Sequence, residues 1–379
     1  MTLPSRGAAA LRAKPASPPS EPVQPAVTSR EPPAAGRRVA WGRGLLISLV
    51  IAFAVPTGLG LYADFGDVSA TLADFEWKLL PALLGLTALN YLARYLRWRK
   101  LVQLASGQTP DLRQDLLVFF AGTAMILTPA RLGEWAKSYY ARRLYGAPVA
   151  RTAPIPLVER ITDSLVMLLL ATAGLVLFGW DRTVFVVVGT VAVGAIMALR
   201  HRGLLALLLR GAARFPPARR LLPAAEDFHE SSRLLLSFTG LSWALSLGIV
   251  AWSLECLTFF LVLVGLGSPA TWKLVVQAAF IFPIASLAGS FSLIPGGLGV
   301  TEAGITGMTQ AIVSAPRSVA VASALLVRAI ILGFGFTLGL LALAAISRPA
   351  TGGRESGQAC GEHRSPSPAA EEALHVVQE

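Results

Sequence analysis

Of 379 residues, 54% are hydrophobic and 15% charged, with a mean hydropathy of +0.60 and a net charge of +11. That is too apolar for a soluble protein of this length, and the apolar residues fall in long runs rather than alternating stripes. The positive charge gathers at the ends of those runs, which excludes a compact basic domain for nucleic acid.

Residues 1–40 are rich in Pro, Ala and Arg, and the first apolar run starts too late for a cleaved signal. They are expected to be a disordered cytoplasmic tail. A first span over 45–61 leaves the cytoplasm for the loop 62–76, which carries Asp64, Asp67, Asp74 and Glu76 and no base. A second span over 79–96 returns to Arg94, Arg97, Arg99 and Lys100, taken together as a basic segment end on the inside. The next apolar run, 116–127, leads into Pro129-Ala130-Arg131-Leu132-Gly133-Glu134, and the chain is basic again at Arg142 and Arg143. A re-entrant hairpin turning near Leu132-Gly133 accounts for both observations. Non-helical backbone at depth is tolerated only where protein or water satisfies it, and a charged Pro/Gly turn meets that condition. Trp135, Tyr139 and Tyr140 beyond it suit interfacial anchors.

From Arg151 the chain is expected to cross outward over 157–178, turn at Trp180-Asp181-Arg182, and return over 184–199 to the basic stretch from Arg200. Residues 210–238 mix Leu pairs with Arg and suit an interfacial helix or loop. The span 241–266 goes out again. A second broken run, 274–294, then enters from outside, turns at Pro295-Gly296-Gly297, and comes back near Pro316-Arg317. A final span over 319–346 ends at Arg348, and 347–379 form a second disordered cytoplasmic tail. Gly335 and Gly339 make a small-xxx-small pair for close helix packing. The expected fold is all-α: a polytopic integral membrane protein with about six full spans and two re-entrant helical hairpins in the domain 41–346.

The two broken regions say nearly the same thing. Pro129, Gly133, Glu134, Pro148 and Arg160 in the first correspond to Pro295, Gly299, Glu302, Pro316 and Arg328 in the second, and each Glu precedes its Arg by 26 residues. Self-similarity of this kind bears on the whole architecture. With the topology above, the motif 129–160 enters from the cytoplasm and 295–328 from the exterior, so the repeat is inverted. In transporters such broken pairs mark a site between repeats.

Charges inside the apolar runs carry the chemistry. Arg160 has Glu159 beside it and Asp163 one turn on, whereas Arg328 lies about ten residues into the last span with no charge near it in sequence. A buried Arg costs roughly 2.5–3.5 kcal/mol even on permissive scales, so each needs a partner or a wet cavity. Glu134 and Glu302 are the natural partners. The pairs then either clamp each hairpin to its span or hold the arginines at a cavity for an anionic headgroup, and both can hold together. Pro295-Gly296-Gly297-Leu298-Gly299 is either a backbone cradle for an anion or a tight turn needing positive φ. Arg131 stands where the second copy has Gly297, so the two tips differ. Asn90, Glu255 and Gln277 are further polar residues in apolar runs, Glu255 the most costly and a secondary cavity candidate. Two cysteines and four scattered histidines offer neither a disulfide framework nor metal-ligand spacing. No nucleophile–base set or phosphate loop appears, so an enzyme acting on lipid is disfavoured, and no cofactor is expected.

Pro-x-x-Leu-Gly-Glu134 followed by Leu157-Val-Glu-Arg-x-x-Asp163, then Pro295-Gly-Gly-Leu-Gly-Val-x-Glu-Ala303 followed by Ala324-Leu-Leu-Val-Arg328, resembles the lysylphosphatidylglycerol synthase transmembrane family. The resemblance covers about 40–346. It implies a flippase-like membrane domain of a bacterial inner membrane that moves a lipid between leaflets. The soluble synthase domain to which that region is fused in some members is not expected here. The leading expectation is therefore a translocase for an anionic or polyprenyl lipid, with Glu134, Arg160, Glu302 and Arg328 at a midplane cavity and Arg131, Glu159 and Asp163 beside it. The alternative is a non-transporting membrane partner that organises a lipid-modifying enzyme or glycosyltransferase.

Overall fold

The computed structural model describes residues 58, 61–125, 134–178, 183–200, 222–292 and 294–347, all within the compact unit Arg43–Glu379. Among them there is no strand. The expected span 45–61, the turn 180–182, the stretch 210–221, the hairpin tip with Pro129, Arg131 and Gly133, and both tails lie outside the described residues or nearly so.

A short helix α1 (Phe65–Ala73) precedes a 3-10 turn (Trp77–Leu79) that runs directly into α2 (Leu80–Ser106). The left-handed Gly107 ends α2, and Asp111 opens α3 (Leu112–Ala124) by accepting the Arg113 N–H. After the tip come α4 (Ala136–Tyr145), the single turn α5 (Val149–Thr152) behind Pro148, α6 (Pro154–Phe178) and α7 (Thr183–Arg200). Helix α8 (Leu222–Leu235) follows. Ser237 caps α9 (Phe238–Gly265), and Thr271 caps α10 (Trp272–Phe291), each accepting a backbone N–H of the first turn. A 3-10 turn (Pro295–Gly297), α11 (Val300–Met308), a π-turn (Thr309–Val313) and α12 (Arg317–Ser347) complete the described chain.

Four of these helical segments are long and apolar enough to cross a membrane: Trp77–Ser106, Phe238–Gly265, Trp272–Phe291 and Arg317–Ser347. The 31 residues of α12 extend about 46 Å at 1.5 Å per residue, well beyond a ~30 Å hydrocarbon layer. It is the most apolar of the four, with a mean hydropathy of 2.4, and the least buried, with 28% of its apolar window inside the fold. A soluble fold hides its greasiest helix. Here that helix faces outward, as a lipid solvent allows.

Two expectations change. The second span does not stop at residue 96, because α2 continues about two and a half turns past Arg97, which therefore lies within the helix rather than at its end. The run 274–294 is not itself broken, since α10 is continuous through Pro283 and the break follows it. Propensity explains the first. Arg, Lys, Leu and Gln are good helix formers, so a charge run alone does not terminate α2.

Helices α2 and α9 pack along their lengths in antiparallel order. The Glu76 N–H reaches the Gly265 carbonyl, Asn90 reaches the Ala251 carbonyl, Arg97 lies against Gly248, and the Lys100 ammonium sits 5.8 Å from the Trp243 ring centroid. Each is followed by a helical hairpin. Helix α3 turns back through α4, with Lys137 against Gly122 near the tip and Tyr145 reaching Asp115 near the base. Helix α10 turns back through α11, with Thr301 against Gly289 near the tip and Gln277 donating to the Ile312 carbonyl near the base. In each pair the two helices thus pack antiparallel. Because α2 and α9 run in opposite directions, the hairpins open toward opposite ends of the α2–α9 pair. Packing is also exchanged: α3 lies against α12, and α10 against α6.

On the Gly335/Gly339 face of α12, Gly335 meets Tyr91 of α2 and Gly339 meets α3. A Cβ on Gly339 would sit 2.6–2.8 Å from the Ala124 Cβ and backbone N and the Phe120 carbonyl. Backbone cannot swing aside as a flexible side chain can. Gly339→Ala is therefore expected to separate α3 from α12 and to cost about 1–3 kcal/mol, read as a lowered melting temperature in detergent. Unchanged melting would mean the two helices are not this close.

Candidate functional site

The two Glu–Arg pairs form across their own repeats. Arg160 on α6 grips Glu134, just ahead of α4, with its Nε at 3.1 Å from one carboxylate oxygen and its Nη2 on the other. Arg328 on α12 donates its Nε to Glu302 on α11 at 2.7 Å and its Nη2 to the Gly296 carbonyl at 2.5 Å. The other Glu302 oxygen accepts the Gly299 N–H at 2.6 Å. The fork of Arg and the two faces of a carboxylate make these clamps strong and directional.

The Pro295–Gly299 tip resolves as a turn. Gly296, Gly297 and Gly299 all take positive φ, and the N–H groups of Gly297, Leu298 and Gly299 are bonded to Ile294, Pro295 and Glu302. A backbone cradle for an outside anion needs those donors, so this alternative falls away.

Arg160 and Arg328 nevertheless line one cavity of about 120 Å³, bordered by α2, α3, α4, α6, α9, α10, α11 and α12. Glu134, Glu159 and Asp163 line it as well, whereas Glu302 stands behind Arg328 rather than in the lining. Glu255, the secondary candidate, is on the wall and holds Arg94 at 2.8 Å and Asn90 at 3.1 Å.

Three basic residues that the sequence did not single out as site residues complete the wall. Arg94 is stacked 5.2 Å from the Trp252 ring centroid and reaches Glu255. Arg97, only 2% exposed, donates to both oxygens of Asp163 at 2.6 and 3.4 Å. Lys137 places its ammonium 5.1 and 5.0 Å from the Trp98 and Phe119 ring centroids and 3.5 Å from Glu159. A signal for two of them existed. Asn90, Arg94 and Arg97 follow the i, i+4, i+7 spacing of one helix face, while Arg99 and Lys100 fall on another.

The lining is two-natured. Five cations and four carboxylates stand beside Tyr91, Phe119, Trp252, Phe282, Ile331 and Leu332. Its volume falls below the roughly 300–1,000 Å³ of drug-sized ligand sites, so it has room for a headgroup rather than a whole lipid. Among the described residues, no group of three or more His, Cys, Asp or Glu side chains could hold a metal ion.

Compared with known proteins, residues 45–339 match the lysylphosphatidylglycerol synthase TM region family. A UPF0104 membrane protein of Methanothermobacter thermautotrophicus is 26% identical over 261 residues, which cover 62% of this chain and 73% of that protein. No solved structure matches the chain.

Proposed function

This chain belongs to the lysylphosphatidylglycerol synthase TM region family, and from that premise we propose that it is a lipid translocase carrying an anionic or polyprenyl lipid between leaflets. The observation that carries the proposal is the shared cavity. Guanidinium groups from the two repeats, Arg160 and Arg328, face one headgroup-sized space from helices α6 and α12. A structural clamp alone requires each Arg to meet its Glu. It does not require both to meet the same void.

In this proposal the protein is a multi-pass protein of a bacterial cell membrane with cytoplasmic termini, six full spans and two re-entrant hairpins in an inverted repeat. The antiparallel α2–α9 pair and the opposite openings of the hairpins support the inversion. The α10 arm of the second hairpin has 20 residues. A headgroup would dwell between the hairpins while its chains stay in lipid, and rocking of one repeat against the other would alternate access. No covalent step is involved.

The test is exchange of a fluorescent phosphatidylglycerol between the leaflets of reconstituted vesicles. Arg160→Lys/Arg328→Lys keeps both charges beside Glu134 and Glu302 but loses both forks. Exchange is expected to slow at least about tenfold, since one charge-assisted hydrogen bond is worth roughly 1.5–3 kcal/mol. Wild-type exchange no faster than in protein-free vesicles would sink the translocase and leave the role of a membrane partner for a lipid-modifying enzyme.

A further inference from the structure

Two donors in the cavity wall have no acceptor. The Arg97 Nε–H and the Trp252 indole N–H are buried and unbonded, on residues 2% and 6% exposed. Both residues line the cavity, on the facing helices α2 and α9. For Arg97 the nearest carboxylate on that side is Glu159, at 3.8 Å and beyond hydrogen-bond reach. A buried unsatisfied donor costs about 1–3 kcal/mol, so two at one cavity mark a place built for an acceptor. The carboxylates around them are already engaged: Asp163 by Arg97 and Arg94, Glu255 by Arg94 and Asn90, Glu159 by Lys137.

We infer that Arg97, Arg94 and the Trp252 indole form a phosphate-binding subsite, distinct from the repeated Glu–Arg pairs and supplied by the α2–α9 seam. It rests on the proposal that this cavity takes a lipid headgroup, and it assigns the phosphate to one part of the wall. The phosphate oxygens accept from Arg97 Nε and Trp252 Nε1, and the Arg94 guanidinium over the indole supplies the nearby charge. The apolar side, Phe282, Ile331 and Leu332, receives the start of the lipid chains. The repeat does not explain this subsite.

The test uses the purified full chain in detergent with Trp252→Phe, which keeps the ring stacking and removes one N–H. The probes are dihexanoyl phosphatidylglycerol, the matching uncharged diacylglycerol and inorganic phosphate, measured by calorimetry, with melting curves to verify the fold. Phosphatidylglycerol binding is expected to weaken about tenfold, as for loss of one hydrogen bond to a charged group, with diacylglycerol binding unchanged. Arg97→Lys, which keeps the charge beside Asp163 and loses the Nε–H, should weaken it similarly. An equal loss with inorganic phosphate alone supports the same subsite and makes free phosphate its ligand. Equal binding of phosphatidylglycerol to wild type and Trp252→Phe overturns the subsite, as does the absence of saturable binding of both phosphate probes to wild type. Binding that depends on Trp252 without leaflet exchange would keep the subsite and reject the translocase. Exchange with binding indifferent to Trp252 would do the reverse.

Discussion

Asp163→Ala is expected to lower stability by about 3–5 kcal/mol, because it strands a buried arginine. Arg97 is 2% exposed, and Asp163 accepts from both of its terminal nitrogens. Without that carboxylate its remaining counter-charge is Glu159 at 3.8 Å. Arg94 also loses a charge 3.7 Å away, although it keeps Glu255. Asp163→Asn should fall between wild type and Ala, since an amide oxygen still accepts one bond but carries no charge. The measurement is thermal unfolding in detergent, with the monodisperse yield as a second readout. Replacing both partners with leucine should recover much of the loss, because a buried ion pair is often no better than an apolar pair of similar volume. That rescued protein would fold without the Arg97 donor and should bind phosphatidylglycerol weakly. Melting of Asp163→Ala at the wild-type temperature would show that Arg97 reaches water or another partner.

What was legible in the sequence followed from spacing, and what was missed followed from counting charges along the chain rather than around a helix. The 26-residue interval pointed to Glu134–Arg160 and Glu302–Arg328 because each hairpin arm and the next helix return the two residues to one level. The positive-φ turn was legible because Gly296, Gly297 and Gly299 are clustered behind a proline. Arg94 and Arg97 were hidden in a run with Arg99 and Lys100, which a positive-inside count treats as a single cluster. Only the 100° step between residues separates them: Arg97 turns inward to Asp163, while Arg99 reaches Tyr95 one turn back on its own helix. Lys137 gave no signal of its own. Its burial depends on Gly122, where a Cβ would fall 2.2 Å from the lysine Cγ, and that approach is a tertiary fact.

Glu302 tests whether the repeated pair is a matter of charge alone. It is 2% exposed and does two jobs, accepting the Gly299 N–H at the start of α11 and the Arg328 Nε. Glu302→Ala removes both partners and should cost about 3–5 kcal/mol, the range for breaking a buried pair. Glu302→Gln should cost less, since its amide oxygen can still cap Gly299. If charge were everything, the swapped protein Glu302→Arg/Arg328→Glu would recover wild-type stability. It is expected not to. An arginine cannot accept the Gly299 N–H, and a glutamate cannot donate to the Gly296 carbonyl, which Arg328 now satisfies. The swap would leave a buried donor and a buried carbonyl unpaired at the one turn where three glycines hold positive φ. Melting curves of the two single variants and the swap decide the matter. Full recovery in the swap would show that the pair is held by Coulomb attraction and that the tip's hydrogen bonds are incidental. Failure to recover ties the direction of the pair to the tip, so that the repeated Glu-then-Arg order reflects hydrogen-bond polarity as well as charge.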